Sequence, residues 1–230
     1  MEILKNDEDV LNHMSHAISN ENLEMEVIFG YNEYNNPITK PMFLKLLNHF
    51  KTKYGNPKYE NVSLDIKCRY NDMPSNIRFS ILDLNSIQKY CVTNSLKDID
   101  NVEVIKKSNY RINGESHKII NEDYNYRILL KKEEDLDYGV EQIENYDKLQ
   151  EKKDKHYRYK KRYSFITPDQ LFRIDLSVIK STDWNKDKES YEWSKTFKEA
   201  NILNNKEQYE LEIEYIGSSD KYEDGIILIN

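Results

Sequence analysis

The chain lacks most of the signatures that announce a function directly. Its two cysteines, Cys68 and Cys91, form no CxxC pair and have no histidine at zinc spacing. That excludes a disulfide framework or zinc module, and a reduced cytosolic setting is expected. No apolar run approaches the length of a membrane span, and the first residues lack the basic-then-apolar order of a signal peptide, so no membrane partner is expected. There is no Walker loop, GxGxxG, HExxH or GxSxG, which excludes chemistry built on those scaffolds. Nor is there a Pro/Gly/Ser-rich linker or an internal repeat, and a single domain over residues 1–230 is expected. Basic residues are in deficit, 34 Lys and Arg against 41 Asp and Glu. A general nucleic-acid coat is thereby excluded, but a local basic pocket is not.

What is present is alternation. In Glu210–Tyr215, Glu210, Glu212 and Glu214 share one strand face, and Leu211, Ile213 and Tyr215 share the other. Same-face carboxylates two residues apart stand ~7 Å from one another and repel. Leu23–Gly30 repeats the pattern, with Glu24 and Glu26 opposite Met25 and Val27. Tyr157–Phe165 carries Arg158, Lys160 and Arg162 on one face and Tyr157, Tyr159, Lys161 and Tyr163 on the other. Leu171–Lys180 sets Arg173, Asp175 and Ser177 against Ile174, Leu176 and Val178, and Lys180 has the wrong parity for the polar face. Residues 61–70 and 76–81 alternate likewise, with Arg78 and Ser80 polar, and 102–107 and 124–131 read as two further strands.

Helices are expected over about 7–19, from Thr39 as N-cap to Gly55, over 85–91 and over 192–203. In the second, Met42, Phe43, Leu46, Leu47 and Phe50 are expected to form the apolar stripe. The charged stretch 132–155 reads as a solvated loop or exposed helix, and 218–225 as an exposed linker before Ile226–Ile229.

About eight half-polar strands, with charge sign segregated strand by strand, suggest a closed barrel whose polar faces point inward and whose apolar outside is covered by helices. Buried charge on that scale is costly unless paired or metal-bound. Clustered glutamates suit a hard divalent cation, and a ring of Arg and Lys suits phosphate oxygens. Together they suit phosphoryl transfer.

Leu23-Glu24-Met25-Glu26, the run from Tyr157 to Phe165, Arg173-Ile174-Asp175-Leu176-Ser177 and Tyr209–Glu214 resemble, in order, the motifs of the triphosphate tunnel metalloenzymes. More narrowly they resemble the metal-dependent RNA triphosphatases of fungal and giant-virus mRNA capping enzymes, those of the Mimivirus type above all. The resemblance implies a mostly β fold, a closed eight-stranded antiparallel tunnel. Its implied reaction removes the γ-phosphate from 5′-triphosphate RNA, and from nucleoside triphosphates, with Mg²⁺ or Mn²⁺. Glu24, Glu26 and Glu214 would hold the metal with Glu212 close by. Arg158, Lys160, Arg162, Arg78 and Arg173 would bind phosphate, with Asp175, Ser177 and Glu210 supporting them. A phosphate-binding lysine is implied at Lys106 or Lys107. A water-orienting glutamate is implied at Glu133 or Glu134, in the stretch headed by Lys131, which is counted with the phosphate ligands. Relatives that make cyclic AMP or hydrolyse thiamine triphosphate typically carry ExExK in the first strand, where this chain has Ile28. The resemblance leaves open a polyphosphatase, or a silent barrel that binds triphosphate ends. It also implies guanylyltransferase and methyltransferase partners in cis or trans and, for a viral chain, a host-cytoplasmic or virion location.

Overall fold

Strands that are apolar on alternate residues can bury one face only, and here that face is the outside of a barrel. Eight strands form its wall: β1 (Leu23–Phe29), β2 (Tyr59–Tyr70), β3 (Ile77–Leu82), β4 (Val102–Asn109), β5 (Tyr126–Leu136), β6 (Lys155–Ile166), β7 (Phe172–Ser181) and β8 (Gln208–Tyr215). The structure is a computed structural model that describes residues 8–20, 22–30, 37–70, 73–97, 99–112, 115–116, 118–136, 154–182, 184–185 and 190–217. Around the wall the order is β1-β8-β7-β6-β2-β3-β4-β5, and β5 pairs back onto β1, every pairing antiparallel. Closure leaves these eight strands no free edge. Two short strands are appended, Met73–Pro74 beside the end of β2 and Lys118–Asn121 beside the start of β5.

The apolar core lies between this wall and the helices. Helix α1 (Glu8–Ile18) brings Val10 and Ala17 onto Met25, Ile128 and Leu130. Helix α2 (Lys40–Tyr54) brings Phe43 and Leu47 onto Phe165, Leu176 and Leu211. Helix α3 (Leu84–Thr93) brings Ile87 and Tyr90 onto Leu64, Ile66, Phe79 and Tyr157. Each fully buried aliphatic or aromatic side chain is worth roughly 1.5–3 kcal/mol. That burial, sited outside the wall, is what offsets a lumen filled with charge. No helix among the described residues is long and apolar enough to cross a membrane.

Several local expectations are corrected. Helix α2 is capped as its sequence indicates, by Thr39 accepting from the Met42 amide and by Gly55 at φ 84°. Met42 itself is 49% exposed, because it sits beside the stripe and not on it. The acidic stretch after Leu130 does not leave the sheet: residues 132–136 complete β5, paired along β4. Lys155, at the end of the expected loop, opens β6, and residues 137–153, together with the linker and apolar run from 218 onward, lie outside the described residues. The last helix is one turn, α4 (Phe197–Ala200), opened by a Thr196–Glu199 capping box and closed by Asn201 in the left-handed region. Trp193 is not helical. Lys180, as its parity indicates, faces out, and it donates to the Leu203 carbonyl at 2.5 Å.

Candidate active site

Register fixes which side chains enter the lumen. Glu26 lies opposite Glu214 on β8, and Glu24 opposite Lys131 on β5. Arg162 lies opposite Ser177 on β7, and Arg158 opposite Asp65 on β2. Glu214 lies opposite Arg173, and Glu210 opposite Ser177. One parity therefore carries the glutamates of β1 and β8, the basic run of β6 and the mixed run of β7 into a single space.

The same rule separates the members of both open pairs by the face they occupy. Lys107 pairs with Glu133 inside the barrel, whereas Lys106 and Glu134, one residue along each strand, pair outside it at 3.3 Å, both exposed. Lys106 and Glu134 are thereby removed from the candidate site, since the wall separates them from it. The Lys107 ammonium donates to Glu24 at 2.8 Å, to Glu26 at 2.6 Å and to Glu133 at 2.6 Å. Lys131 reaches Glu26 at 3.6 Å. Among the described residues no three His, Cys, Asp or Glu side chains converge as metal ligands do. The carboxylates converge on an ammonium instead.

One ammonium does not satisfy them all. Glu26 is held below the usual carboxylate range because Lys107 and Lys131 outweigh the opposing effect of burial. Glu133 is lowered in the same way by Lys107. Glu24 is pushed up to about 7 by burial, with Glu214 and Glu133 adding to it against Lys107. Glu214 is raised by burial too, although Arg173 bonds it at 2.5 Å. Glu212 is raised by burial and by Glu210, and no hydrogen bond or ion pair holds it among the described residues. The acidic side carries more negative charge than its own cations neutralise.

Facing it is a basic side. Arg158 is bound by Glu210, and Lys160 approaches Asp65 at 3.5 Å. Arg162 and Arg173 share Asp175, at 3.5 and 3.1 Å. Arg173 thus braces Glu214 and Asp175, with both of its ion partners being carboxylates. Arg78 makes no ion pair among the described residues, and its buried Nε has no hydrogen-bond partner. Arg162 Nε and the Ser177 hydroxyl are also buried without hydrogen-bond partners. Lys160 is lowered to about 8, by burial first and then by Arg162, Arg158 and Arg78 against Asp65.

Alternation puts Asp65 on a polar face, but nothing in the sequence alone distinguishes it there. It accepts from Ser80 at 2.8 Å and is held at about 2, because Lys160, Arg78 and Arg158 outweigh its burial. Lys67, Arg127 and His156 are further lumen-facing residues that the motifs pass over. For Lys67 and His156 strand parity is the available signal, and for Arg127 the register with Ile28 on β1 is decisive. Ile28 itself faces inward and is buried, and Arg127 supplies a cation beside it.

Parity predicts unequal neighbours. For the phosphate release that the motif resemblance implies, Lys160→Ala is expected to cost roughly 10²-fold, the scale for removing one positioned charge in a lumen. Lys161→Ala should change it by less than about twofold, because Lys161 lies outside and pairs with exposed Glu60 at 2.8 Å. Equal losses in the two folded variants would contradict the inward assignment.

No family model matches the sequence, and no curated protein matches it. Among solved structures, the chain is similar to the RNA triphosphatase domain of a trifunctional mimivirus mRNA capping enzyme. That match has 22% identity, covers 96% of this chain and 94% of that one, and has a TM-score of 0.64. Triclinic crystals of the Mimivirus capping enzyme triphosphatase match at 22% identity, over 96% of this chain and 93% of that one, with a TM-score of 0.64. A monoclinic form matches at 22% identity, over 96% and 94%, with a TM-score of 0.62. The likeness establishes a shared fold, the closed eight-stranded tunnel expected from the motifs.

Proposed function

We propose that the tunnel hydrolyses the terminal phosphoanhydride of a 5′-triphosphate, with triphosphate-ended RNA as its substrate in the first step of cap formation and nucleoside triphosphates as further substrates. The observation that carries this reading is the lumen itself, in which Arg78, Arg158, Lys160 and Arg162 face Glu24, Glu26, Glu133, Glu212 and Glu214. The fold shared with the triphosphatase domain of a trifunctional capping enzyme supports it, and guanylyltransferase and methyltransferase activities, which the motif resemblance implies, would act beside it in cis or trans.

The donors suit Mg²⁺ or Mn²⁺ by type, since they are all carboxylate oxygens. They suit it by charge as well, since Glu24 at about 7 and the raised Glu212 and Glu214 mark negative charge that Lys107 leaves over. Glu24, Glu26 and Glu214 would hold the cation, with Glu212 close by. When bound, it supplies Lewis-acid polarisation of the terminal phosphoryl group.

The chain's own residues do the remaining work. Arg158, Lys160 and Arg162, with Arg78, bind the non-bridging oxygens and hold the polyphosphate in line. Glu133, kept ionised by Lys107, orients a water and takes its proton as the water oxygen bonds to the terminal phosphorus. The bond to the bridging oxygen breaks, leaving a diphosphate end and inorganic phosphate. Because Lys160 sits at about 8, its charge is lost as pH rises through that value, and KM for triphosphate should rise there. Lys160→Arg should move that rise out of range, and an unchanged pH profile in this variant would remove Lys160 from phosphate binding.

The direct test measures phosphate release from triphosphate-ended RNA, ATP and tripolyphosphate with Mg²⁺ or Mn²⁺, in the wild-type chain and in Glu24→Ala. Release by the wild type and its loss by roughly 10²-fold in the variant are expected. Release from no substrate with either metal would leave a triphosphate-binding barrel, and release from tripolyphosphate alone would make the chain a polyphosphatase.

A further inference from the structure

The two ends of the tunnel differ in charge. Strands β1, β2, β4 and β7 end at one mouth, where β3, β5, β6 and β8 begin. Lumen-facing positions near that mouth are Lys67 and Arg69 on β2, Arg127 on β5 and His156 and Arg158 on β6, with Glu210 on β8 bonded to Arg158. At the opposite mouth the same parity places Glu103 on β4 and Asp135 on β5, both exposed, with Glu24 and the Glu214–Arg173 pair just inside, so that carboxylates outnumber cations there.

Lys67 makes no ion pair among the described residues and stands among like charges, Arg78, Lys131 and Arg158, which outweigh the nearby Asp65 carboxylate. A cation so placed attracts a polyanion more strongly than it stabilises the fold. One step further out, the Arg69 guanidinium lies 5.5 Å from the centre of the Trp193 ring while reaching Asp154 at 3.4 Å. Trp193 is fixed at the rim because its neighbour Ser194 pairs with the Lys155 backbone, at 2.8 and 3.2 Å. A basic track ending in an aromatic ring at a rim is the pattern that holds single-stranded nucleic acid, with charge on the backbone and a ring under a base.

We propose that the mouth where β2 ends is the polynucleotide entrance: Lys67 and Arg127 take the phosphodiester groups beyond the 5′-triphosphate, and the Arg69–Trp193 pair takes the first nucleotides of single-stranded RNA. The opposite, acidic mouth repels the chain and admits water and cations. This inference rests on the proposed reaction for the identity of the buried end, and it adds what that reaction leaves open, the direction and the preference for RNA over a bare polyphosphate.

Fluorescence anisotropy of a short labelled 5′-triphosphate RNA, read without turnover, tests the entrance. Arg69→Ala combined with Trp193→Ala is expected to weaken binding on the order of tenfold. The slope of log affinity against log salt should fall by roughly 0.7 for each phosphate that a variant no longer neutralises. The kcat/KM ratio of RNA over tripolyphosphate should fall with it. Lys67→Gln and Arg127→Ala, on separate strands, provide the same readout should the rim variant fold poorly. RNA binding unchanged in these variants, or tightened instead by Glu103→Lys at the other mouth, overturns the proposal. Equal losses for RNA and tripolyphosphate also overturn it. A wild-type chain that binds RNA at this mouth but releases no phosphate keeps the entrance and refutes the reaction.

Discussion

Glu212→Ala is expected to abolish most phosphate release, by roughly 10²–10³-fold, while leaving the folded protein as stable as the wild type or more so. Most lumen carboxylates have a cation to hold them: Glu26 has Lys107, Glu214 has Arg173 and Glu210 has Arg158. Glu212 has none within ion-pair distance among the described residues, and it is raised by burial and by the neighbouring Glu210. Its ionised form therefore costs stability, and its removal relieves repulsion. A residue kept at such a cost serves something other than the fold. Glu210→Ala is the contrast, since it strips Arg158 of its bonded partner and is expected to lower stability by a few kcal/mol, about 2–4. Thermal denaturation and phosphate release, measured on both variants, separate the two roles. If Glu212→Ala is strongly destabilised, or turns over normally, the assignment of Glu212 to the reacting centre is wrong.

Lys107→Met is expected to lower stability by about 3 kcal/mol without divalent metal, because it leaves Glu24, Glu26 and Glu133 facing one another with their shared counter-ion gone. At this chain length that corresponds to a melting temperature lower by roughly 10 °C. The sign of the pH dependence follows. In the wild type, Lys107 is raised above its ordinary 10.5, so its stabilisation is complete below that value and is lost only as pH rises through the higher folded one. In the variant, the orphaned carboxylates bind protons more tightly folded than unfolded. Acid then favours folding, and the deficit against wild type grows between about pH 5 and pH 8. Mn²⁺ is expected to restore part of the loss, since it offers the same carboxylates a cation. A variant as stable as the wild type at every pH would show that the three ion pairs contribute little. A deficit that Mn²⁺ does not touch would count against these glutamates as its ligands.

The faces of most strands are legible in the sequence. Two-residue periodicity put Glu24 with Glu26, Glu210 with Glu212 and Glu214, and Arg158 with Lys160 and Arg162, and each set does share the lumen. That was legible because alternation is a local property of extended backbone, set by geometry within a few residues. Local capping was legible too, at Thr39 and Gly55. A helix over residues 192–203 was not: the capping box at Thr196 starts it late and Asn201 ends it after one turn, choices made by packing.

Pairing across the barrel is set by long-range contacts. Lys106 and Lys107 are adjacent, as are Glu133 and Glu134, and each has the charge its role requires. Only the β4–β5 register sends Lys107 and Glu133 inward together and the other two out. The charged stretch 132–155 has few large apolar residues, which argues for a solvated loop or exposed helix when it is considered alone. Pairing with β4, and the Lys107 ammonium between the carboxylates, hold residues 132–136 in the sheet instead. The same holds for Asp65 and Lys67, ordinary members of a polar face until closure of the wall sets them against Lys160 and His156. Alternation reports which face a side chain occupies. Which charges then meet depends on strands far apart in sequence, and only the folded barrel brings them within ion-pair distance.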